Sequence, residues 1–287
     1  RTGSELFERI TGLPEYYPTR TEIAILEACG PEIARLAGDD CLLIEYGSGA
    51  SRKIRILLDA LSGRCQYIAI DISKQQLIES TAQLAAEYVG LEAFAVCADY
   101  TRPFALPAET LSSAGRRIVF FPGSTIGNFN PRDAKEFLTN AARQIGPQGG
   151  LLIGVDLKKD PAKLNAAYND SEGVTAQFNR NLLVHINRAL GADFDVSLFE
   201  HRAFYNEQAG RIEMHLVSLG EQTATIAGER IHFDEGESIH TENSYKYSIE
   251  EFQQLARDSG FHPEKVWTDT ESLFSVHYVT VADSASV

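Results

Sequence analysis

The stretch CLLIEYGSGAS, residues 41–51, decides the fold, because an unbroken apolar run ends there in closely spaced glycines. Such a short apolar run predicts a strand buried on both faces, as in a parallel sheet. The segment that follows, RKIRILLDAL (52–61), has its apolar residues at helical spacing. A strand, a glycine turn and a helix in this order are typical of doubly wound folds, which bind ligands at the carboxyl ends of their strands.

Further strands and helices continue this pattern downstream. The strands are QYIAID (66–71), AFAVCAD (93–99), RIVFF (117–121) and GLLIGVD (150–156), with helices predicted at 74–89 and 131–145. Short strands alternating with helices of this length predict βαβ units. The sequence therefore predicts an α/β fold built on a doubly wound, mainly parallel sheet.

The pattern breaks after Asp156, where a helical tract and several strand-like segments follow, before a helix and two strands return near the carboxyl end. We interpret the break as an inserted α+β lobe. The predicted core comprises residues 22–157 and 246–287. The predicted substrate-binding lobe comprises residues 1–21 and 158–245.

The composition is that of an ordinary globular protein, since 44% of the residues are hydrophobic and 23% are charged. The formal net charge of −14 argues against nucleic-acid or anionic-membrane partners, which need a clustered basic face. No apolar stretch approaches the ~20 residues of a membrane span. The cysteines occur singly, as is usual for reduced thiols in the cytosol. We expect a cytoplasmic protein without nucleic-acid or membrane partners, and we expect a monomer.

The glycine turn differs from a dinucleotide-binding loop. Gly47 and Gly49, on either side of Ser48, allow a tight turn and a close backbone approach to a ligand. The third glycine of the dinucleotide fingerprint is absent, because Arg52 occupies its position. A pyrophosphate needs that third position, whereas a ligand without phosphate does not.

Acidic residues end the next two strands. Asp71 follows Gly47 at the distance typical of a carboxylate that binds both ribose hydroxyls. Asp99 and Tyr100 end the third strand and suit an adenine amino group and ring face. Together these residues fit S-adenosylmethionine, with its methionine part over the glycine turn. The alternative is that both aspartates merely cap the turns that follow.

The stretch FFPGSTIGNFNP (120–131) begins as a strand and then becomes small and polar. In a doubly wound sheet this segment lies at the ligand crevice, where small residues leave room. Asn128 offers two donors and an acceptor, so it can bind an amino-acid carboxylate and orient the α-amino group. The alternative is an asparagine that only starts the next turn.

Several longer segments carry a resemblance to one family. They are SELFERITGLPEYYPTRTE, EYGSGASRK, PGSTIGN, AYNDSEGVTAQFN and HTENS, in this order along the chain. The sequence resembles the histidine-specific Nα-methyltransferases of ergothioneine biosynthesis, which convert L-histidine to its trimethyl betaine, hercynine. The resemblance covers essentially the whole chain. It implies a class I S-adenosylmethionine-dependent methyltransferase core and a separate lobe for the substrate.

The resemblance also implies site residues. Around the methyl donor it places Gly47, Lys53, Asp71, Asp99 and Tyr100, and the glycine turn adds Ser48 and Gly49 to the predicted donor set. Around L-histidine it places Tyr17, Asn128, Tyr168, Met214, Glu242 and Ser244. Relatives carry phenylalanine in place of Tyr100, and the family draws one more tyrosine from a segment before GSELFE. This sequence starts at Arg1, so we expect it to be a fragment or a member that lacks that tyrosine.

The segment HTENS explains how histidine would be selected. In an extended strand Glu242 and Ser244 project to the same face. A carboxylate beside a hydroxyl can satisfy both nitrogens of an imidazole. The alternative is a solvated acidic edge. Met214 is expected to line an apolar wall.

Two tyrosines are further candidates. Tyr168 would donate to the substrate carboxylate, with an aromatic anchor on its helix as the alternative. Tyr17 precedes Pro18, which favours an extended conformation with Tyr16 and Tyr17 on opposite sides. We expect Tyr17 to enter the pocket, with core packing as the alternative. Tyr17 and Asn128 are the candidate catalytic residues, since a tyrosine hydroxyl or a water chain could take the proton of the amine.

No metal site is predicted. The seven histidines show no HxxxH or HExxH spacing, and methyl transfer from a sulfonium needs no metal. Other functions remain open at this stage. A relative acting on a tryptophan derivative is one, although tryptophan offers only one ring N–H and no second ring nitrogen. A nicotinamide-dependent oxidoreductase and a non-catalytic ligand sensor are the others.

Overall fold

The computed structural model describes residues 2–48, 52–61, 65–107 and 115–282. The chain divides into two compact units. The larger unit comprises Arg20–Leu157 and Tyr247–Val287, and the smaller unit comprises Arg1–Thr19 and Lys158–Lys246.

The helices and strands follow in chain order. The helices are α1 (Thr2–Thr11), α2 (Tyr17–Ala37), α3 (Arg52–Ala60), α4 (Lys74–Glu87), α5 (Pro131–Ile145), α6 (Pro161–Tyr168), α7 (Val174–Leu190) and α8 (Ile249–Arg257). The strands are β1 (Cys41–Tyr46), β2 (Cys65–Asp71), β3 (Glu92–Cys97), β4 (Arg117–Phe121), β5 (Gly150–Asp156), β6 (Phe199–Asn206), β7 (Arg211–Ser218), β8 (Gln222–Ile226), β9 (Glu229–Phe233), β10 (Ser238–Tyr245), β11 (Phe261–Thr268) and β12 (Phe274–Val281).

A seven-stranded sheet forms the larger unit, in the order β11-β12-β5-β4-β1-β2-β3. Strands β1 to β5 run parallel, while β12 is antiparallel to both β5 and β11. The predicted doubly wound, mainly parallel sheet is therefore confirmed.

Helices cover both faces of this sheet. Every residue of β1 is buried. Leu43 packs in an apolar cluster with residues of α3 and α4, and Ile44 packs in a second cluster with residues of α5 and α8. Burial on both faces is why these strands read as continuous apolar runs instead of alternating ones.

Helix α5 has the boundaries that its sequence predicts. Pro131 is its first residue, where the missing N–H costs nothing, and Asn130 precedes it in an extended conformation. Gly146 ends the helix with a φ of 71°, a conformation that favours glycine. This helix follows the polar loop after β4 and so fixes one end of that loop.

The smaller unit is of the α+β type. Strands β10, β7 and β6 form an antiparallel sheet, and β8 pairs with β9. Helix α7 carries Leu183 into a cluster with Phe199, Leu216 and Phe233. Strand β8 was not predicted from the sequence. The assignment of this unit as a substrate-binding lobe stays a prediction.

Over the ranges that the structure describes, none of the helices has the length and apolar content needed to cross a bilayer.

Candidate active site

The glycine turn follows β1 at the carboxyl edge of the parallel sheet. Gly47 has a φ of +75°, and its N–H donates to the carbonyl oxygen of Ile70 at 2.9 Å. A Cβ added at Gly47 would lie 3.6 Å from the Tyr100 hydroxyl, so glycine is required by backbone conformation more than by space. Ser48 is buried. Gly49, also predicted to hold the methyl donor, lies outside the described residues.

The two predicted acidic residues lie on neighbouring strands at the same edge. Asp71 ends β2, and its carbonyl oxygen accepts from the N–H of Ala98, the residue before Asp99. One carboxylate oxygen of Asp71 accepts from the N–H of Ser73 at 2.7 Å. Asp71 pairs with Cys97, the last residue of β3, and Asp99 follows two residues later, so both aspartates lie at the same edge of the sheet, which fits a ligand with a ribose and a purine amine.

Asp99 also stabilises its own turn. Its carboxylate accepts from the N–H of Thr101 at 3.0 Å and from the Thr101 hydroxyl at 2.6 Å. These hydrogen bonds, with the Thr101 hydroxyl contributing most, lower the pKa of Asp99. The turn-capping alternative therefore describes a real contact of each aspartate. It does not use all of the acceptor capacity of either carboxylate.

The Tyr100 ring is held by other aromatic residues. It stacks on Tyr46, with ring centroids 5.7 Å apart and planes 9° apart, and it contacts the edges of Phe121 and Phe137. One face of Tyr100 is thus occupied by Tyr46. The predicted adenine contact must use the remaining surface of this fixed ring.

A buried carboxylate that was not predicted links the glycine-turn helix to the loop after β4. Both oxygens of Glu22 accept from the N–H of Gly123, at 3.0 and 2.9 Å, and Lys53 forms an ion pair with the same carboxylate. Glu22 is fully buried, and a Cβ at Gly154 would lie only 2.0 Å from it. Lys53 was predicted to hold the methyl donor, and this role stays a prediction beside its observed contact with Glu22.

A second buried carboxylate lies at the end of β1. Glu45 accepts a hydrogen bond from the hydroxyl of Tyr67. Burial raises the pKa of Glu45 to about 7, opposed by that hydrogen bond and by the charge of Lys53. Because its pKa lies near neutral pH, the Glu45 carboxyl can hold or release a proton at physiological pH, beside the predicted methyl-donor site.

The polar loop after β4 contains a short 3-10 helix, Thr125–Asn128. Ser124, at its start, adopts a φ of 57°, and its hydroxyl oxygen accepts from the N–H of Asp156 at 2.9 Å. This bond ties the loop to the end of β5. Asn128 is exposed at the end of the short helix, so its amide is available to a ligand. Its predicted contact with the substrate stays a prediction.

In the smaller unit, three polar side chains form a closed triangle. The Tyr168 hydroxyl donates to the Ser244 hydroxyl oxygen at 2.9 Å. The Lys246 ammonium donates to Ser244 at 2.8 Å and to the Tyr168 oxygen at 3.1 Å. All three residues are buried. Tyr168 and Ser244 were predicted site residues, and the structure brings them together.

Lys246 was missed by the sequence analysis. The alternation that predicts Glu242 and Ser244 on one face of an extended strand continues to residue 246. A lysine at that position could therefore have been found. Lysine is rarely buried without a partner, so its type gives no sign of a buried position there.

Glu242 lies on the same face of β10 as Ser244. It pairs with Met214, and Ser244 pairs with Ile212, two positions away on β7. The predicted shared face is thus observed, with the predicted apolar residue Met214 buried opposite Glu242. Burial raises the pKa of Glu242 to about 7, opposed by the charge of Lys246. Among the described residues, no hydrogen bond to the Glu242 carboxylate is found, so its acceptors remain available.

A β-bulge makes this arrangement possible. The register between β10 and β7 shifts between His240 and Glu242, leaving Thr241 as the extra residue. The Thr241 hydroxyl donates to Asn179 at 2.7 Å and to the carbonyl oxygen of Met214 at 3.0 Å. As a result His240 and Glu242 project to opposite faces of the sheet, although they are two residues apart.

The predicted extended conformation of Tyr17 is wrong. Tyr17 is the first residue of α2, because a proline in the first helical turn is compatible with a helix that starts there. Tyr17 is buried, and its oxygen accepts from the Lys159 ammonium at 2.6 Å. Tyr16 packs its ring edge against Tyr168 at 6.3 Å. A role of Tyr17 at the substrate amine stays a prediction.

In the described part of the chain, one group has the composition of a metal site. Glu213, His215 and His240 have ligand atoms within 4.8 Å of one another. Cross-strand pairing creates this group, so its sequence spacing gave no indication of it. The two imidazole rings are stacked at 4.5 Å with planes 14° apart, and Arg211 pairs with Glu213. An ion must lie near the plane of each ligating ring, so this stack would have to open before both histidines could bind it. That the protein has no metal ligands stays a prediction.

The seven-stranded, mainly parallel sheet has the fold of the S-adenosylmethionine-dependent class I methyltransferases. The CcbJ methyltransferase from Streptomyces caelestis shares this fold, with a TM-score of 0.52 and 15% identity over 90% of this chain and 95% of that one. At such low identity the likeness concerns the fold alone.

Sequence comparison narrows the class to one family. The sequence model described as "Histidine-specific methyltransferase, SAM-dependent" matches residues 1–281, and the chain belongs to this family. A histidine N-alpha-methyltransferase from Mycobacterium tuberculosis is 42% identical over 279 residues, covering 96% of this chain and 85% of that protein. The ergothioneine biosynthesis protein 1 of Neurospora crassa is 34% identical over 276 residues, covering 93% of this chain and 30% of that protein. The family resemblance inferred from the sequence is confirmed.

Proposed function

We propose that this enzyme transfers methyl groups from S-adenosylmethionine to the α-amino nitrogen of L-histidine, with the trimethylated betaine hercynine as its product. One observation carries the choice of substrate. A carboxylate and a hydroxyl, Glu242 and Ser244, lie on the same face of one strand in a member of this family. An imidazole side chain presents one N–H and one bare nitrogen, which these two groups can satisfy together.

The larger unit supplies residues that fit the methyl donor. S-adenosylmethionine, when bound, carries an electrophilic methyl group on a positively charged sulfur. Asp71 and Asp99 provide carboxylates at adjacent strand ends for the ribose and the adenine amine. The positive φ of Gly47 turns the chain sharply there, which opens the backbone to the methionine part. Ser48, Gly49, Lys53 and Tyr100 complete the proposed donor set.

The smaller unit supplies residues that fit the histidine side chain. A ring N–H pointing at Glu242 favours the ionised carboxylate, whose burial otherwise raises its pKa to about 7. Met214 provides an apolar wall beside Glu242. A site built around such hydrogen-bonding groups rejects ligands that leave them unsatisfied.

The α-amino nitrogen must be unprotonated to react, and with a reference pKa of ~7.7–8.0 a fraction of it already is at physiological pH. We propose that Asn128 orients this nitrogen and that Tyr17 contacts it. The Lys159 ammonium holds the Tyr17 oxygen at 2.6 Å, which makes Tyr17 a positioned group instead of a mobile one.

The test is a mass-spectrometric screen. The enzyme is incubated with S-adenosylmethionine and each free amino acid in turn, and the molecular masses of the products are measured. Histidine is expected to gain three methyl groups. Glu242→Ala should lose most of its kcat/KM for histidine, whereas Glu235→Ala, at an exposed position of the same unit, should not. No methyl transfer to histidine by the unaltered enzyme would refute the proposal.

A tryptophan derivative is the alternative substrate within the same chemistry. Its ring presents one N–H and no second nitrogen, so Ser244 would face carbon. If the unaltered enzyme methylates tryptophan or a tryptophan derivative faster than histidine, the alternative holds instead. The predicted monomeric state and cytoplasmic location are separate proposals, to be tested by light scattering and by cell fractionation.

A further inference from the structure

The triangle of Tyr168, Ser244 and Lys246 has a fixed hydrogen-bond polarity. An ammonium has donors only, so Lys246 must donate to both hydroxyl oxygens, at 2.8 and 3.1 Å. The two hydroxyls also bond each other at 2.9 Å, which uses one of their two protons. One hydroxyl proton is therefore left, and it must point out of the triangle.

The outward proton belongs to Ser244. A phenol is a stronger acid than an alkyl alcohol, so Tyr168 is the better donor of the pair and Ser244 the better acceptor. The Ser244 oxygen then accepts from both Tyr168 and Lys246, which uses both of its lone pairs. Ser244 can offer a ligand a donor and nothing else.

We infer that Lys246 is a specificity-determining positioning residue, which forces the Ser244 hydroxyl to donate and so selects a ring that presents a bare nitrogen to it. This inference rests on the proposed function, because it assumes that Ser244 faces the imidazole. Glu242, an acceptor when ionised, would take the ring N–H. The pair therefore fixes one neutral tautomer of the bound imidazole and disfavours the imidazolium, which has an N–H at both positions.

Burial increases the free-energy cost of leaving the Ser244 hydroxyl proton without an acceptor. Lys246 is 2% exposed, Ser244 4% and Tyr168 8%, so little solvent can compensate a hydroxyl proton that finds no acceptor. Leaving a buried donor unsatisfied costs more than the hydrogen bond would gain. A ligand with C–H in place of the bare nitrogen would meet this penalty in full, and one with a nitrogen would not.

The experiment is a double-mutant cycle read out by substrate discrimination. The kcat/KM for histidine is divided by that for 3-(pyrrol-3-yl)alanine, which has a ring N–H but no second nitrogen. The ratio is measured for the unaltered enzyme, Lys246→Met, Ser244→Ala and the double variant. Loss of general structure would lower both kcat/KM values together and leave their ratio unchanged.

Lys246→Met is expected to lower the ratio roughly 3- to 10-fold, as the release of one constrained hydrogen bond predicts. In the Ser244→Ala background the same change should leave the ratio constant, because Lys246 acts through Ser244. An unchanged ratio in Lys246→Met overturns the inference, and so does an equal fall in both backgrounds. A complete lack of histidine methylation by the unaltered enzyme would instead reject the proposed function.

If Lys246→Met does not fold, Tyr168→Phe replaces it. This change keeps the ring and the ammonium but returns one lone pair to Ser244. Tyr168 cannot donate the proton that it gives Ser244 to a substrate carboxylate as well, and any indirect effect on that carboxylate would cancel in the ratio, because both amino acids carry it. The ratio should again fall severalfold, and a ratio equal to that of the unaltered enzyme would overturn the inference.

Discussion

Replacing Glu242 by glutamine should make the protein more stable, and only at higher pH. Burial raises the pKa of Glu242 from 4.5 to about 7 in the folded protein. At about 1.36 kcal/mol for each pH unit, a shift of this size corresponds to about 3 kcal/mol. This is the free energy by which the ionised carboxylate weakens the folded state.

The sign follows from proton linkage. Below the unfolded pKa of 4.5 the carboxyl is protonated in both states and costs nothing. As the pH rises toward 7 the folded state retains a proton that the unfolded chain has lost, so stability falls. Above about 7 the full penalty applies. Glutamine does not titrate, and Glu242→Gln should therefore gain about 2 to 3 kcal/mol over the unaltered protein between about pH 5 and about pH 8.

The assay measures the free energy of unfolding of the ligand-free protein in urea at about pH 5 and about pH 8. Glu45, whose pKa is also raised to about 7, titrates in both proteins and cancels in the difference. Glu213→Gln is the matched control on the neighbouring strand, because hydrogen bonds from Arg211, Asn206 and His215 lower the pKa of Glu213 to about 2 despite its burial. That variant should be destabilised at both pH values, the opposite sign to Glu242→Gln, because it removes the partner of Arg211.

A Glu242→Gln variant whose stability relative to the unaltered protein is the same at both pH values would refute the reasoning. It would mean that the carboxylate is solvated in the folded state. The variant should also bind histidine roughly 10-fold more weakly, since an amide is a poorer partner for the ring N–H than a carboxylate. A gain in stability together with a loss of histidine affinity is expected when the residue replaced is part of a binding site.

The remaining predictions concern single contacts. Asp99→Asn should weaken S-adenosylhomocysteine binding roughly 10-fold in calorimetry. The control is Asp195→Asn, which should not change binding, although the Asp195 carboxylate caps Ser197 in the same way as Asp99 caps Thr101. Equal losses of affinity in the two variants would contradict the assignment of Asp99 to the methyl-donor site. Gly154→Ala should lower the free energy of unfolding by about 1–3 kcal/mol through overpacking against Glu22. The control Gly220→Ala has nothing within 4 Å of the new Cβ and should have little effect. A Gly154→Ala protein as stable as the unaltered one would show that Glu22 moves freely. Tyr17→Phe should lower kcat for histidine more than it raises KM, and an unchanged kcat would remove Tyr17 from the catalytic residues.

The sequence predicts the sheet of the larger unit because its strands are buried on both faces. CLLIEY, RIVFF and GLLIGVD are apolar runs too short for helices; Gly47 follows the first, Pro122 and Gly123 follow the second, and Asp156 ends the third. Helix boundaries such as Pro131 and Gly146 are similarly local. The positions of β11 and β12 in the sheet cannot be predicted from neighbouring residues, because the antiparallel strand β12 is placed by its packing against β5.

The smaller unit was harder to predict. Alternation along β10 was enough to place Glu242 and Ser244 on one face, but the bulge at Thr241 depends on hydrogen bonds to Asn179 and to β7. The partners of Glu22 lie on distant segments, so no spacing in the sequence could indicate them. The predicted extended conformation of Tyr17 was wrong because the preference of residues before proline for extended backbone gives way where a helix begins at that residue.

The bulge at Thr241 has a consequence for how specificity can change. It turns His240 and Glu242 to opposite sides of the sheet, so that the ion pair of Arg211 and Glu213 shares no surface with Glu242 and Ser244. Under the proposed function, substitutions at Glu242 and Ser244 would change ligand choice without altering that ion pair. Deleting Thr241 would restore a regular ladder and leave both surfaces as they are, whereas an added residue that takes the place of Glu242 opposite Met214 would turn Glu242 and Ser244 to the side of Arg211 and Glu213.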